Sequence, residues 1–244
     1  MIHSKIWESF SRFWATDRGL SIFLVMIVVV VFVLPSLASL GITGRLFFDI
    51  FFSLLLISGI ASMSGRRRVF ITLTGISIVA LAVRWIDAFN ASPLLDVLNL
   101  LATITATILF STVVLSLVLK RGPITAHRIQ GAIAVYLLLG LSWAHTYDLI
   151  EYLSPGSFTG AITASSRFSS WMYFSFVTLA TLGYGDISPV HPVARSLAVA
   201  EAITGQLYLA ILIARLVSQE LYDRASKEGN TTKDSPRDKT SDKT

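Results

Sequence analysis

The chain has 244 residues, of which 53% are apolar and only 14% charged, with a formal net charge of +5 and a mean hydropathy of +0.67. Soluble domains carry about a quarter charged residues, so a soluble globular fold is excluded, as are disordered and collagen-like chains. No cysteine is present, which removes disulfides, thiolate metal sites and a thiol nucleophile. The basic excess is not interleaved with stacking aromatics, so no nucleic-acid partner is expected.

Near the start, Ile6, Trp7, Phe10, Phe13 and Trp14 recur at helical spacing, with Lys5, Glu8, Arg12 and Asp17 elsewhere. That pattern predicts a short helix lying in the membrane interface over residues 1–18. A helix that crosses a bilayer needs about 20 mostly apolar residues, because its backbone polar groups must be satisfied within the segment. Six stretches qualify: Leu20–Leu40, Leu46–Met63, Val69–Ile86, Leu94–Leu119, Ile129–Ile150 and Val193–Val217. The first is too long for a signal-peptide core and lacks a small-residue cleavage site, so it reads as a span. Between spans five and six, the apolar piece Phe168–Leu179 is too short to cross and runs into glycine-rich sequence, as a re-entrant segment would. From about Ala225 onward the chain has no aromatic, no branched aliphatic and no hydrophobic period, and is expected to be disordered.

Basic residues orient the spans. Lys5, Arg12 and Arg18 precede span one, Arg66, Arg67 and Arg68 join spans two and three, and Lys120, Arg121 and Arg128 join spans four and five. Arg215, Arg224, Lys227, Lys233, Arg237, Lys239 and Lys243 follow on the last helix and tail. The opposite side holds only Arg45, Arg84, Arg167 and Arg195, with Asp87, Asp96, Asp148, Glu151 and Asp186. The positive-inside rule then places both termini in the cytoplasm of a multi-pass cell-membrane protein.

The chemistry lies after the short apolar piece, in Thr181-Leu182-Gly183-Tyr184-Gly185-Asp186-Ile187. Glycine at alternate positions opens backbone conformations closed to residues with a Cβ. Successive carbonyls can then point one way, toward an axis. These residues resemble the filter of the potassium channel pore family, and the likeness extends from Arg128 to Gln219.

The resemblance implies an all-α membrane protein of six transmembrane helices, with a re-entrant pore helix and filter loop between helices five and six, assembled as a homotetramer. Four-fold rings of carbonyl oxygens would replace the water around K⁺. Thr181, Leu182, Gly183 and Tyr184 would contribute the ion-binding oxygens, Gly185 the turn out, and Asp186 a buttress at the outer mouth. Tyr173, Phe174 and Thr178 match pore-helix positions that support the filter, and Arg195 and Gly205 match positions after it, Gly205 as an inner-helix hinge. Leu182 stands where valine is commonest, and Val177 where some members carry Glu, so no carboxylate pair is expected to lock the filter. No cofactor is implied, K⁺ being the permeant ion; the expected partners are three further copies and membrane lipid. The chain thus divides into the interfacial helix (1–18), a four-helix scaffold (19–121), the pore domain (122–219) and a disordered tail (220–244). Leu209, Leu212 and Ile213 are candidates to line an inner gate that closes by dewetting.

Six spans with the pore between the last two also resemble voltage-gated cation channels, but span four holds Asp96 and no Lys or Arg. One elementary charge across 100 mV is worth only about 2.3 kcal/mol, so strong voltage sensing by this helix is not expected. Asp49 and Arg84 are candidates for an ion pair, with Asp87 competing. Glu201, well inside span six, is a gating candidate as an intramembrane carboxylate. His127 and His145 are histidines that could titrate near neutrality. Two other readings carry specific residues. Tyr147-Asp148 and Gly183-Tyr184-Gly185-Asp186 resemble the paired motifs of intramembrane aspartyl proteases, which would use Asp148 and Asp186. A regulatory, non-conducting channel subunit is the other; transporter subunits with channel-like loops carry four pore units, and this chain has one.

Overall fold

The structure, a computed structural model, describes residues 17–39, 50–57, 67–90, 92–119, 125–160, 162 and 167–233. The interfacial helix expected over 1–18 lies almost wholly outside them, as do Arg45, Asp49 and the end of the tail; the side chain of His127 is likewise not described.

The first apolar stretch forms α1 (Asp17–Val28), a π-helical turn (Val29–Val33) and α2 (Leu34–Ser39) in succession. The widened turn has a local cause. Pro35 lacks an N–H and its ring crowds the carbonyl four residues back, so the helix opens just before it. Ser36 Oγ then donates to the Phe32 carbonyl at 2.8 Å. Residues 50–57 are helical and form α3. Then follow α4 (Arg67–Phe89), α5 (Pro93–Val118), α6 (Ala126–Leu153), β1 (Phe158–Gly160), α7 (Arg167–Leu179), β2 (Ile187–Pro189) and α8 (Pro192–Lys233). Ser92 precedes Pro93 in extended conformation, the usual way proline opens a helix.

Among the described residues, four helical windows are long and apolar enough to cross a membrane: Leu20–Leu37, Pro93–Val118, Arg128–Leu153 and Pro192–Arg215. They coincide with expected spans one, four, five and six. The protein is mostly helical, with one addition to the all-α expectation: β1 and β2 pair antiparallel, Phe158 opposite Pro189 and Gly160 opposite Ile187.

The core lies between α5, α6 and α7. One face of α5 (Thr103, Ala106, Thr107, Phe110, Ser111, Val114 and Val118) is buried, and α5 packs mainly along α6. Ser142 on α6 sits 2.8 Å from Thr107 Oγ1 on α5. The scaffold is therefore joined to the helix beside the pore by hydroxyl groups as well as by apolar contact. On the other side, α1 packs on α6 and α2 reaches α7, and Phe32 of the π-helical turn meets the Phe176 ring at 6.1 Å.

Helix α8 extends to Lys233, past the expected limit of order near Ala225. Its sequence supplies opposite charges four apart (Glu220 and Arg224, Asp223 and Lys227, Arg224 and Glu228). A helix already nucleated upstream propagates at little cost through such residues.

Candidate functional site

Helix α7 is the short apolar piece expected to re-enter. Its apolar positions face inward, with Trp171, Met172, Phe174, Val177 and Leu179 all buried. Phe174 stands edge-on to Tyr147 at 4.9 Å, and Phe158 from β1 stands edge-on to Trp171 at 4.8 Å. At the N-terminal end, Arg167 forms an ion pair with Asp148 and donates from Nη2 to the Asp148 carbonyl at 3.2 Å. The protease-like carboxylates therefore have separate partners. Asp148 is held by Arg167, and Asp186 lies beside the Tyr173 hydroxyl.

The Thr181–Asp186 loop leaves the C-terminal end of α7. Thr181, Gly183 and Gly185 have φ of 59°, 58° and 81°, while Leu182 and Tyr184 between them do not take positive φ. Gly183 and Gly185 occupy this region without a Cβ penalty; Thr181 pays one. Such alternation turns consecutive peptide groups the same way. Hydrogen bonds show which way that is. The Leu182 and Gly183 amides both donate to the Val177 carbonyl, at 2.8 and 3.4 Å, and the Thr181 amide donates to the Thr178 carbonyl at 2.9 Å. In a trans peptide the carbonyl points opposite to its N–H. The Ala180, Thr181 and Leu182 carbonyls are thus directed away from α7. Among the described residues no hydrogen bond ends on the carbonyl of Thr181, Leu182, Gly183 or Tyr184, and residues Thr181 to Asp186 are exposed. A row of oriented, unsatisfied carbonyls can coordinate a dehydrated cation.

The flanks hold this row in place. Tyr173 stacks on Tyr184 with ring centroids 6.4 Å apart and planes within 9°, and its hydroxyl lies beside Asp186. Thr178 contributes its carbonyl to the loop's first turn. Beyond the loop, β2 returns to β1, and Gly160 (φ 127°) lies so close that a Cβ would strike the Asp186 carbonyl. Sequence reading did not single out Gly160; a loop glycine carries no mark of what it approaches.

Gly205 is buried in an unbroken α8, where a Cβ would strike the Leu179 carbonyl at the end of α7. The position thus leaves no room for a Cβ. Glu201, one turn earlier, is fully buried and reaches Tyr147 and Ser175, each at 2.5 Å. Ser175 carried no signal of its own in the sequence. Of the gate candidates, Leu209 and Ile213 are exposed while Leu212 packs against the core. Arg195 is exposed near the start of α8. Asp87 is buried and accepts from Asn99 Nδ2 at 3.0 Å, while the Arg84 guanidinium lies 4.6 Å over the Phe52 ring. His145 is buried between Phe52 and Phe168.

Residues 132–220 match the model of the ion channel family. The chain is 39% identical over 74 residues to inward rectifier potassium channel Kirbac3.1 of Paramagnetospirillum magnetotacticum, covering 30% of this chain and 22% of the relative. It is 36% identical over 67 residues to two pore potassium channel c of Oryza sativa subsp. japonica (28% and 15%), and 31% identical over 87 residues to protein LctB of Bacillus caldotenax (34% and 64%). The chain thus spans less than a quarter of the length of the first two relatives. No solved structure matches it significantly. Ion channels are not enzymes, which sets the protease reading aside. The segment that carries the oriented carbonyls is thus what this membrane chain shares with the ion channel family and with potassium channels.

Proposed function

We propose that four copies of this chain form a passive, K⁺-selective pore in the cell membrane, with both termini cytoplasmic and six crossings per copy. The observation that carries the reading is the row of carbonyls from Thr181 to Tyr184, on which no hydrogen bond ends among the described residues and whose first two are directed away from α7 because the Leu182 and Gly183 amides are turned back onto Val177. One chain supplies one side of a coordination cage, and K⁺ needs oxygens all round, so four-fold closure completes it. Two further features support assembly. Leu182 and Tyr184 are 58% and 67% exposed beside the carbonyl row, and only 11% of the Pro192–Arg215 window is buried within the chain. In this reading Thr181, Leu182, Gly183 and Tyr184 bind K⁺. Gly185 and Asp186 shape the outer mouth, with Tyr173 stacked on Tyr184 beside them; Phe174 and Thr178 support the loop from behind; Gly205 seats the inner helix against α7.

The pore is not strongly voltage-gated. α5 contains no Lys or Arg, and the face it buries presents hydroxyls and apolar groups. The test is reconstitution of the full chain in liposomes under a K⁺ gradient. A reversal potential at the K⁺ equilibrium value, abolished by Gly183→Ala with membrane yield unchanged, is expected; equal Na⁺ permeation overturns selectivity. A non-conducting regulatory subunit would carry no current at all.

A further inference from the structure

One carboxyl group joins three helices behind the pore helix, and the protons available to that cluster define its chemical state. Glu201 on α8 is fully buried. Its Oε2 lies 2.5 Å from the Tyr147 hydroxyl on α6, and its Oε1 lies 2.5 Å from Ser175 Oγ on α7. Ser175 Oγ is also 2.8 Å from the Gly140 carbonyl oxygen on α6.

A serine hydroxyl has one proton, and a carbonyl can only accept. The short Ser175–Gly140 contact therefore takes the Ser175 proton. An ionised Glu201 is also acceptor-only, and would then face Ser175 Oγ lone pair to lone pair at 2.5 Å. A proton on Oε1 resolves this. Glu201 donates to Ser175, Ser175 donates to the Gly140 carbonyl, and Tyr147 donates to Oε2. The surroundings agree: among the described residues no Lys, Arg or His hydrogen-bonds or ion-pairs with Glu201. The titratable groups near it are the phenols of Tyr147 and Tyr136, both on α6; α7 presents Ser175.

We propose that Glu201 is a neutral carboxylic acid, and that through Ser175 and Tyr147 it is the positioning residue that fixes the pore helix between the outer and inner helices. The inference rests on the pore reading above. One turn further along α8, Gly205 receives the Leu179 carbonyl, so α8 holds the C-terminal half of α7 at two points. Val177, which accepts the loop amides, lies between Ser175 and Leu179. A displacement of α8 thus reaches the carbonyl row through this relay, although Glu201 touches no ion.

The test uses the full-length protein in bilayers. Infrared difference spectra of wild type against E201Q are expected to show, at neutral pH, the C=O stretch of a protonated carboxyl that E201Q lacks. A carboxylate band in its place overturns the proposal. E201Q keeps both a neutral head and a donor, so its K⁺/Na⁺ permeability ratio should stay within about twofold of wild type. E201A and S175A should lower the ratio about tenfold, the equivalent of one buried hydrogen-bonding group left unpaired. Acidification should leave wild-type selectivity unchanged, because no proton remains to be added. Loss of selectivity in E201Q as deep as in E201A, or an acid-induced change that E201Q removes, overturns the positioning role. If wild-type protein carries no K⁺ current, the pore reading fails instead, and the infrared result still decides the state of Glu201.

Discussion

Glycine serves different ends at different positions, and substitution separates them. Gly183 supplies positive φ within the carbonyl row, so a Cβ there strains the backbone itself. Gly160 and Gly205 supply closeness to the Asp186 and Leu179 carbonyls. Gly205→Ala is therefore expected to displace the end of α7 and abolish K⁺ flux, although the same change improves helix propensity. Gly75, inside α4 with open space where a methyl group would stand, is the control. Gly75→Ala should leave flux intact and raise stability by up to about 1 kcal/mol in thermal unfolding. A hinge at Gly205 would give a different result, a shift in open probability with conduction retained.

At the scale of elements, α7 is held by α6 through aromatic rings, by the π-helical turn through Phe32, and by α8 through Glu201 and Gly205. Its N-terminal end is tied by Arg167 to Asp148. Arg167 is 39% exposed, so solvent screens the pair; Arg167→Gln is expected to cost about 1 kcal/mol, read as a lowered midpoint of thermal unfolding. The four helices long and apolar enough to be spans one, four, five and six, and the short helix between the last two, were legible because hydrophobic run length is a local property. The Thr181–Asp186 row was legible because glycine spacing is local too. Glu201 stood out in the sequence as an intramembrane carboxylate, but its partners did not, since Tyr147 lies 54 residues away and Ser175 26. The extension of α8 to Lys233 went unforeseen because composition was weighed there instead of charge spacing. Pro35 was passed over within an apolar run, yet it is what opens the π-turn.

For the whole molecule, the proposed assembly closes the carbonyl row of one chain into a ring, so on that proposal ion and assembly stabilise one another. An ion that binds the assembled state alone stabilises it by mass action. Replacing K⁺ with a large organic cation should lower the temperature at which the tetramer dissociates, and restoring K⁺ should recover it; size-exclusion chromatography after heating reads this directly. Voltage steps should change conductance only shallowly, since a single charge crossing 100 mV contributes about 2.3 kcal/mol and α5 carries no basic residue.

The antiparallel ribbon has a mechanical consequence for the segment below it. The Thr181–Asp186 row is anchored at its inner end, where the Leu182 and Gly183 amides meet Val177, and at its outer end, where Gly160 abuts Asp186 and Ile187 joins the ribbon. A strand clamped at both ends cannot unravel from either. It can only buckle at its midpoint, around Gly183 and Tyr184. Amide hydrogen exchange should grade accordingly, slow at Leu182 and Ile187 and fastest at Tyr184, and any non-conducting state of the loop should be a local crumple whose two ends stay where they are.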